Sequence, residues 1–371
     1  MKKIIVLIIF SIAVLQSYGQ SAESFLKLGD IKVKKGDYTG AIADYTKAIE
    51  LNPKDVGAYS FRGLANYYLE DYRGAITDFT KAIELNPKFA LAYYSRGTAK
   101  LNLQDYRGAI ADFTKTIELN PNYFNAYYNR GLAKVEVEDF RGAVSDYDKT
   151  IELNPKDADA YYNRGLAKGF LENVRGAIAD YDKAIELNPK NAAVYFNRGI
   201  AKGELEDYIG AIADYTKSIE LNPKDAVAYY NRGIAKYYLE DYSGAIADYT
   251  KTIELNPKDA DAYHNRGNAK YELEDYTGAI ADYTKSIELN PKDADAYNNR
   301  GKAKGELEDY IGAIADFTRV IELNPKFAVA FKNRGILKFS LKDKDGACLD
   351  WSKAGELGEA DAYDLIKKYC N

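Results

Sequence analysis

One histidine, two cysteines, one tryptophan and one methionine in 371 residues leave little for chemistry to be built on. The histidine, His264, stands where other copies of the same sequence pattern carry Tyr230, Phe196 or Tyr162, so it reads as a change within a packing position. With cysteine confined to Cys348 and Cys370, no cysteine–histidine metal cluster can be assembled. HExxH, GxSxG and phosphate-cradling glycine loops are absent as well. Lysine and arginine (51) are outnumbered by aspartate and glutamate (56), and lysines alternate with acids along the chain. Without a basic patch, nucleic-acid phosphates are repelled rather than neutralised. The run Ile4–Leu15 holds 12 residues, short of the roughly 20 that a membrane-spanning helix needs. Composition therefore points away from catalysis, cofactors, metals, nucleic acid and a membrane span.

That short run has another reading. Lys2 and Lys3 precede it, and Ser17 and Gly19 put small residues before a cut between Gly19 and Gln20. Residues 1–19 are expected to be a cleaved leader, making the protein an exported one, periplasmic or secreted. No cysteine follows the run to take a lipid.

Proline is scarce too, and its placement organises everything else. All nine prolines, Pro53 to Pro325, recur 34 residues apart without an insertion. A period in this range is the mark of a solenoid built from stacked repeats. The clearest copy is Ala226–Asp259, AVAYYNRGIAKYYLEDYSGAIADYTKTIELNPKD. Ten aromatics share the column of Tyr229 and ten that of Tyr249; ten glycines share the column of Gly233 and ten alanines that of Ala245. A second glycine column, Gly40 to Gly346, brings the two to 20 of the 28 glycines, so glycine here is a packing device. By these residues and Pro257 in a 34-residue frame, the chain is identified as a member of the tetratricopeptide repeat (TPR) family. The resemblance covers 22–358 and implies an all-α, right-handed superhelical solenoid.

Ten repeats are expected, at 22–55, 56–89, 90–123, 124–157, 158–191, 192–225, 226–259, 260–293, 294–327 and 328–358. In each, apolar spacing gives a first helix (Ala226–Leu239) and a second (Tyr242–Leu255), with Asp241 as N-cap and Asn256-Pro257 as terminator. No linker interrupts them, so one domain is expected. The tenth repeat lacks the proline and is followed by a capping helix over 360–370, with Ala362, Ile366 and Tyr369 on one face. If that helix folds back, Cys348 and Cys370 come level; they are expected either as a disulfide or as two buried thiols.

Nine arginines in the column of Arg232 and ten aspartates in that of Asp248 suggest a ladder of buried ion pairs, with anion capture as the alternative. Leu28 replaces arginine in the first repeat, leaving two registers: pairing within a repeat, or between repeats (Asp44 with Arg62). The second is favoured because it would fix neighbouring repeats together.

The resemblance implies that first helices line a concave groove for a protein or peptide partner. Variable columns there carry Tyr94, Tyr128, Tyr162, Phe196 and Tyr230, with Tyr237 and Tyr271 in the column about two turns further along. Gly169, Gly203 and Gly305 replace the bulky residue in the Tyr237 column and are expected to open pockets. Asn129, Asn163, Asn197, Asn231, Asn265, Asn299 and Asn333 fill one column through seven repeats. Asparagine offers a donor and an acceptor, matching a peptide backbone; the competing role is to bond the next repeat. Of the clamp with which some TPR proteins hold a terminal carboxylate, only this asparagine column is present. A non-catalytic scaffold is the reading, with a glycan-binding envelope protein or a plain spacer as the alternatives.

Overall fold

The structure is a computed structural model that describes residues 21–370; the leader expected over 1–19 lies outside the described residues. Among the described residues there are 21 helices and no strand. They alternate as the period requires. The reference repeat has a first helix at Ala226–Tyr238 and a second at Tyr242–Leu255, and the same pair recurs ten times before the terminal helix Asp361–Tyr369.

Local chemistry sets these boundaries. The Asp241 carboxylate accepts from the Gly244 N–H and Asp225 caps the first helix in the same way. Between the helices the chain reverses through Glu240 at φ 61°, while the Asp241 N–H reaches back to the Lys236 carbonyl at 3.0 Å, a Schellman closure. Eight other repeats place Glu, Gln or Lys at this left-handed position, and the first places Gly36 there. Such a conformation costs a side-chain-bearing residue about 1 kcal/mol, offset here by the closing bonds and the cap.

The two glycine columns have different causes. A Cβ on Gly244 would lie 2.1 Å from the Asp241 carboxylate, so glycine there makes room for the cap. A Cβ on Gly233 would lie 2.8 Å from the ring of Tyr249, which is 1% exposed and has nowhere to move. Gly233 therefore sets how closely the two helices of a repeat approach. Gly203, by contrast, has nothing within 4 Å of its would-be Cβ. Alanine at these two sites should act with opposite sign. Gly233→Ala is expected to lower the unfolding free energy obtained from urea denaturation by about 1–3 kcal/mol of overpacking, less the helix-propensity gain. Gly203→Ala should raise it by up to about 1 kcal/mol from that gain alone. Equal shifts for both would refute the close-approach role.

The ion-pair ladder exists, but its register is the one not favoured above. Arg62 bonds Asp78 through Nε (3.0 Å) and Nη2 (2.7 Å), and Arg232 bonds Asp248 at 2.9 and 2.6 Å: both partners belong to one repeat. An i, i+16 pair faces itself across the hairpin of two antiparallel helices, which the column pattern alone does not reveal. Asp44 is not orphaned by this, because Lys32 pairs with it at 2.6 Å. Lys236 likewise adds a second cation to Asp248 at 2.7 Å. The inter-repeat tie comes instead from the remaining guanidinium nitrogen: Arg232 Nη1 donates to Thr216 Oγ1 of the preceding repeat at 3.0 Å. The face of each guanidinium lies over an aromatic ring, 5.5 Å from Tyr229 for Arg232. Each guanidinium nitrogen of Arg232 thus has a partner within the protein, which makes the column a structural ladder rather than a set of arginines open to an anion.

Residues up to Asn188 form one compact unit and those from Pro189 a second; no change in the repeat pattern marks the point. Within each unit, second helices pack on the next repeat's first helix, and first helices of adjoining repeats touch. In the second unit the tenth repeat ends at Gly358, φ 97°, where glycine takes the terminating role of the missing proline. The terminal helix then folds back, seating Ala362, Leu365, Ile366 and Tyr369 against Phe331, Trp351 and Ala354. A disulfide joins Cys348 to Cys370, with Cα atoms 5.8 Å apart.

Candidate functional site

The asparagine column and the aromatic column beside it meet across repeats. Asn129 Nδ2 donates to the Tyr94 hydroxyl (3.0 Å), Asn163 to Tyr128 (3.0 Å) and Asn265 to Tyr230 (2.8 Å). Asn163 also donates to the Asp159 carbonyl one turn back at 2.9 Å; Asn197 and Asn231 donate to Ala193 and Val227 at 2.9 and 2.8 Å. Asn299 Nδ2 bonds Asn268 Oδ1 at 3.1 Å and lies 3.3 Å from His264 Nε2. For these rungs at least one N–H of the amide expected to face a ligand is spent inside the protein. The carbonyls of Asn265 and Asn299 also accept, from Asn268 (3.5 Å) and Asn298 (3.1 Å), so the acceptors left to offer are chiefly those of the other rungs. The asparagines are half-buried along their whole column, Asn333 included.

The aromatics are likewise committed on one side. Tyr94, Tyr128, Tyr162, Phe196 and Tyr230 each lie with ring centroids about 6 Å from the second-helix aromatic of their own repeat. Burial pushes the Tyr94, Tyr128 and Tyr230 hydroxyls up to about 12, so these groups stay protonated and bonded at any physiological pH. They form a wall, not an open platform. His264 sits 3.5 Å from Asp293 within this wall. Among the described residues no group of three or more His, Cys, Asp or Glu is placed to hold a metal, and no helix is long and apolar enough to cross a membrane.

Open space appears where glycine was expected to create it. In the second unit a cavity of about 310 Å³ opens beside Gly203, between Ile200, Tyr215, Asn231 and Ile234. Its counterpart three repeats on, about 430 Å³, lies beside Gly305 between Phe317, Asn333, Ile336 and Leu337. A third, about 210 Å³, lies between Tyr237, Tyr271, Tyr283 and Asn299. Each combines a second-helix aromatic (Tyr215, Phe317, Tyr283), an asparagine of the column, and a glutamate: Glu204, Glu306 and Glu272. Tyr237 and Tyr271, alone among the candidate aromatics, line these cavities; burial first, then Glu272 and Glu306 respectively, raise their hydroxyls to about 12. The glutamates escaped the sequence reading. Their signal was a variable column, that of Tyr238, alternating between acids and exposed aromatics.

A family model described as TPR repeat matches residues 29–69, 63–104 and 267–307. Models described as tetratricopeptide repeat match 90–123, 158–191, 226–259 and 294–327, then 180–213 and 248–281, and 128–168. The chain belongs to the TPR family. Among solved structures it is similar to the C-terminal part of a TPR repeat-containing protein from Cytophaga hutchinsonii. That match has 21% identity over 65% of this chain and 98% of the other, with a TM-score of 0.58. A TPR protein from Parabacteroides merdae is 23% identical over 67% and 99%, TM-score 0.48. YrrB, described as a TPR protein with an unusual peptide-binding site, is 27% identical over 50% and 96%, TM-score 0.46. No curated protein matches the chain. As a TPR protein it is a repeat scaffold of the kind typical of protein–protein interaction.

Proposed function

We propose that the protein is a non-catalytic scaffold that holds an extended segment of a partner protein along its first-helix face, seating side chains of that segment in the glycine-opened cavities. The observation that carries this is the recurrence of one cavity type at Gly203 and Gly305, each with an apolar lining and an asparagine beside it. An extended chain presents N–H groups at regular intervals, and the asparagine carbonyls are acceptors set at the interval of the repeat. Consistent with an exported leader, the working compartment is the periplasm or the exterior, and the mature chain isolated from there should begin at Gln20.

The test follows from the empty space at Gly203. Leucine there and at Gly305 would fill the cavities, and the helices should gain rather than lose stability, since glycine is the poorer helix former by about 1 kcal/mol. Against an array of extended peptides, the double variant Gly203→Leu/Gly305→Leu should melt no lower than wild type yet bind at least about tenfold more weakly, the loss of one well-seated apolar side chain. Undiminished binding would remove the cavities from the site.

A second reading, glycan binding, rests on three stacked ring pairs: Tyr38–Tyr68, Phe140–Phe170 and Tyr208–Tyr238, with centroids 5.1, 4.6 and 4.9 Å apart. The outer ring of each is about three-fifths exposed. Envelope glycans printed beside the peptides separate the two readings, and a spacer would bind neither.

A further inference from the structure

The three cavities described above share a type of lining but differ in charge. Beside Gly305, Glu306 accepts from the Tyr271 hydroxyl at 3.4 Å and Lys302 lines the same space. Lys302 also lines the cavity of Tyr237 and Glu272. Both carboxylates therefore have a cation and a tyrosine hydroxyl at hand. Glu204, in the cavity beside Gly203, shares its space with Tyr208, Tyr215 and Tyr238 but with no lysine or arginine. The lysines nearest in sequence are committed elsewhere, Lys202 to Asp214 at 2.8 Å and Lys236 to Asp248 at 2.7 Å. Among the described residues no cation pairs with Glu204.

Its position makes the deficit larger. Glu204 is the last residue of the helix Ala192–Glu204, where the helix dipole places partial negative charge and a cation would be favoured. The turn that follows adds Glu206 and Asp207 to the chain beside it, the latter capping the next helix through the Gly210 N–H. The negative field also falls on Tyr215 in the cavity, whose hydroxyl is pushed up by burial first and then by Asp214 and Glu204. Lining the same cavity is a ring pair, Tyr238 stacked on Tyr208 at an interplanar angle of 9°. Tyr238 remains 62% exposed. A ring face, an unpaired carboxylate and an amide carbonyl (Asn231) are the three elements that bind an alkylammonium or guanidinium group.

Resting on the peptide-scaffold reading, we infer that the Gly203 cavity is a specificity pocket for a basic side chain, lysine or arginine, of the bound segment. The stem lies along Ile200 and Ile234, the cationic head meets Glu204, and its face or edge rests on Tyr238. The other two cavities, carrying their own lysine, take uncharged side chains. Charge complementarity at this one position fixes the register of the partner along the repeats.

Peptides selected from a randomised extended library on the full-length protein should carry lysine or arginine at one fixed position. At physiological salt, replacing that residue by norleucine should weaken binding about tenfold, the sum of an exposed ion pair and a cation–π contact. Glu204→Gln, which removes the ion pair and leaves the ring contact, should produce part of that loss, and in its background the norleucine change should cost less than it does in the wild type. Glu254→Gln, which removes a charge paired to Lys251 on a second helix, should leave affinity unchanged and so exclude a general electrostatic effect. Peptides that need the cavity (sensitive to Gly203→Leu) but show no basic preference, or that are indifferent to Glu204→Gln, overturn this inference and leave the scaffold reading standing. Absence of any binding peptide overturns both, and a glycan displaced by Gly203→Leu assigns the pocket to a sugar instead.

Discussion

Asp248→Ala should lower the stability of the second unit by about 3–5 kcal/mol, the cost of stranding buried charge by removing its partner. Asp248 is 3% exposed and holds two cations at once, Arg232 through two bonds and Lys236 through one. Removing it leaves a guanidinium whose side chain is 16% exposed and an ammonium at 19% without a counter-charge. The damage also crosses the repeat boundary. Arg232 is held in place by Asp248 while its third nitrogen bonds Thr216 of the repeat before, so a loosened arginine loosens the stack. Asp248→Asn keeps the shape and part of the hydrogen bonding, and should cost less. Lys236→Ala should cost less still, because Arg232 continues to neutralise the aspartate. The order is read from urea midpoints; an unchanged midpoint for Asp248→Ala would mean that the ladder stabilises nothing. The first repeat supplies an internal comparison. Asp44 has Lys32 but no arginine, so there the lysine substitution, the mildest of the three elsewhere, should become a damaging one.

How far these features were legible in the sequence depends on whether a column's role is local. Helix ends were, because a cap or a proline acts on its own neighbours: the second helix begins at Tyr242 after Asp241 and closes at Leu255 before Asn256-Pro257. The first helix ends one residue earlier than its apolar spacing suggests, at Tyr238, because the left-handed turn at Glu240 draws Leu239 into the closure. That turn was invisible, since a glutamate at positive φ is held by surrounding hydrogen bonds rather than by its own preference. Partnerships between columns were not legible either. Arg62 stands 18 residues after Asp44 and 16 before Asp78, and identical repeats make either pairing recur with equal regularity. Only the geometry of the hairpin separates them. The recurring lysine of the Lys236 column was a usable signal, since two cations per aspartate argue for a buried acid. The asparagine column was ambiguous for the same reason: its periodicity matches a ligand backbone and a neighbouring tyrosine hydroxyl equally well. The pockets, in contrast, were legible as the absence of side chains at Gly203 and Gly305, an absence that acts locally.

Breaking the Cys348–Cys370 disulfide should destabilise the end of the second unit by about 3 kcal/mol, chiefly by freeing the unfolded chain between two cysteines 22 residues apart. In a stack whose repeats contact only their neighbours, such a loss stays near where it is made. The terminal helix Asp361–Tyr369 has one face on the tenth repeat, and Lys332 pairs with Glu359 in the turn before it and with Asp361 at its start. Reduction should therefore release this helix and fray the tenth repeat while the interior repeats hold. The chain carries its own reporter of that event. Its single tryptophan, Trp351, is 1% exposed and lies 6.0 Å from Tyr369 and 5.7 Å from Phe339. Its indole N–H donates to the Lys332 carbonyl at 3.2 Å. In the oxidised protein, tryptophan fluorescence should follow the main helical transition of the second unit in urea. After reduction, or in Cys348→Ser/Cys370→Ser, the fluorescence should shift red at a lower urea concentration, ahead of the loss of far-ultraviolet circular dichroism. Coincident transitions in the reduced protein would show that the cap is held by its apolar face alone and that the disulfide adds nothing to it.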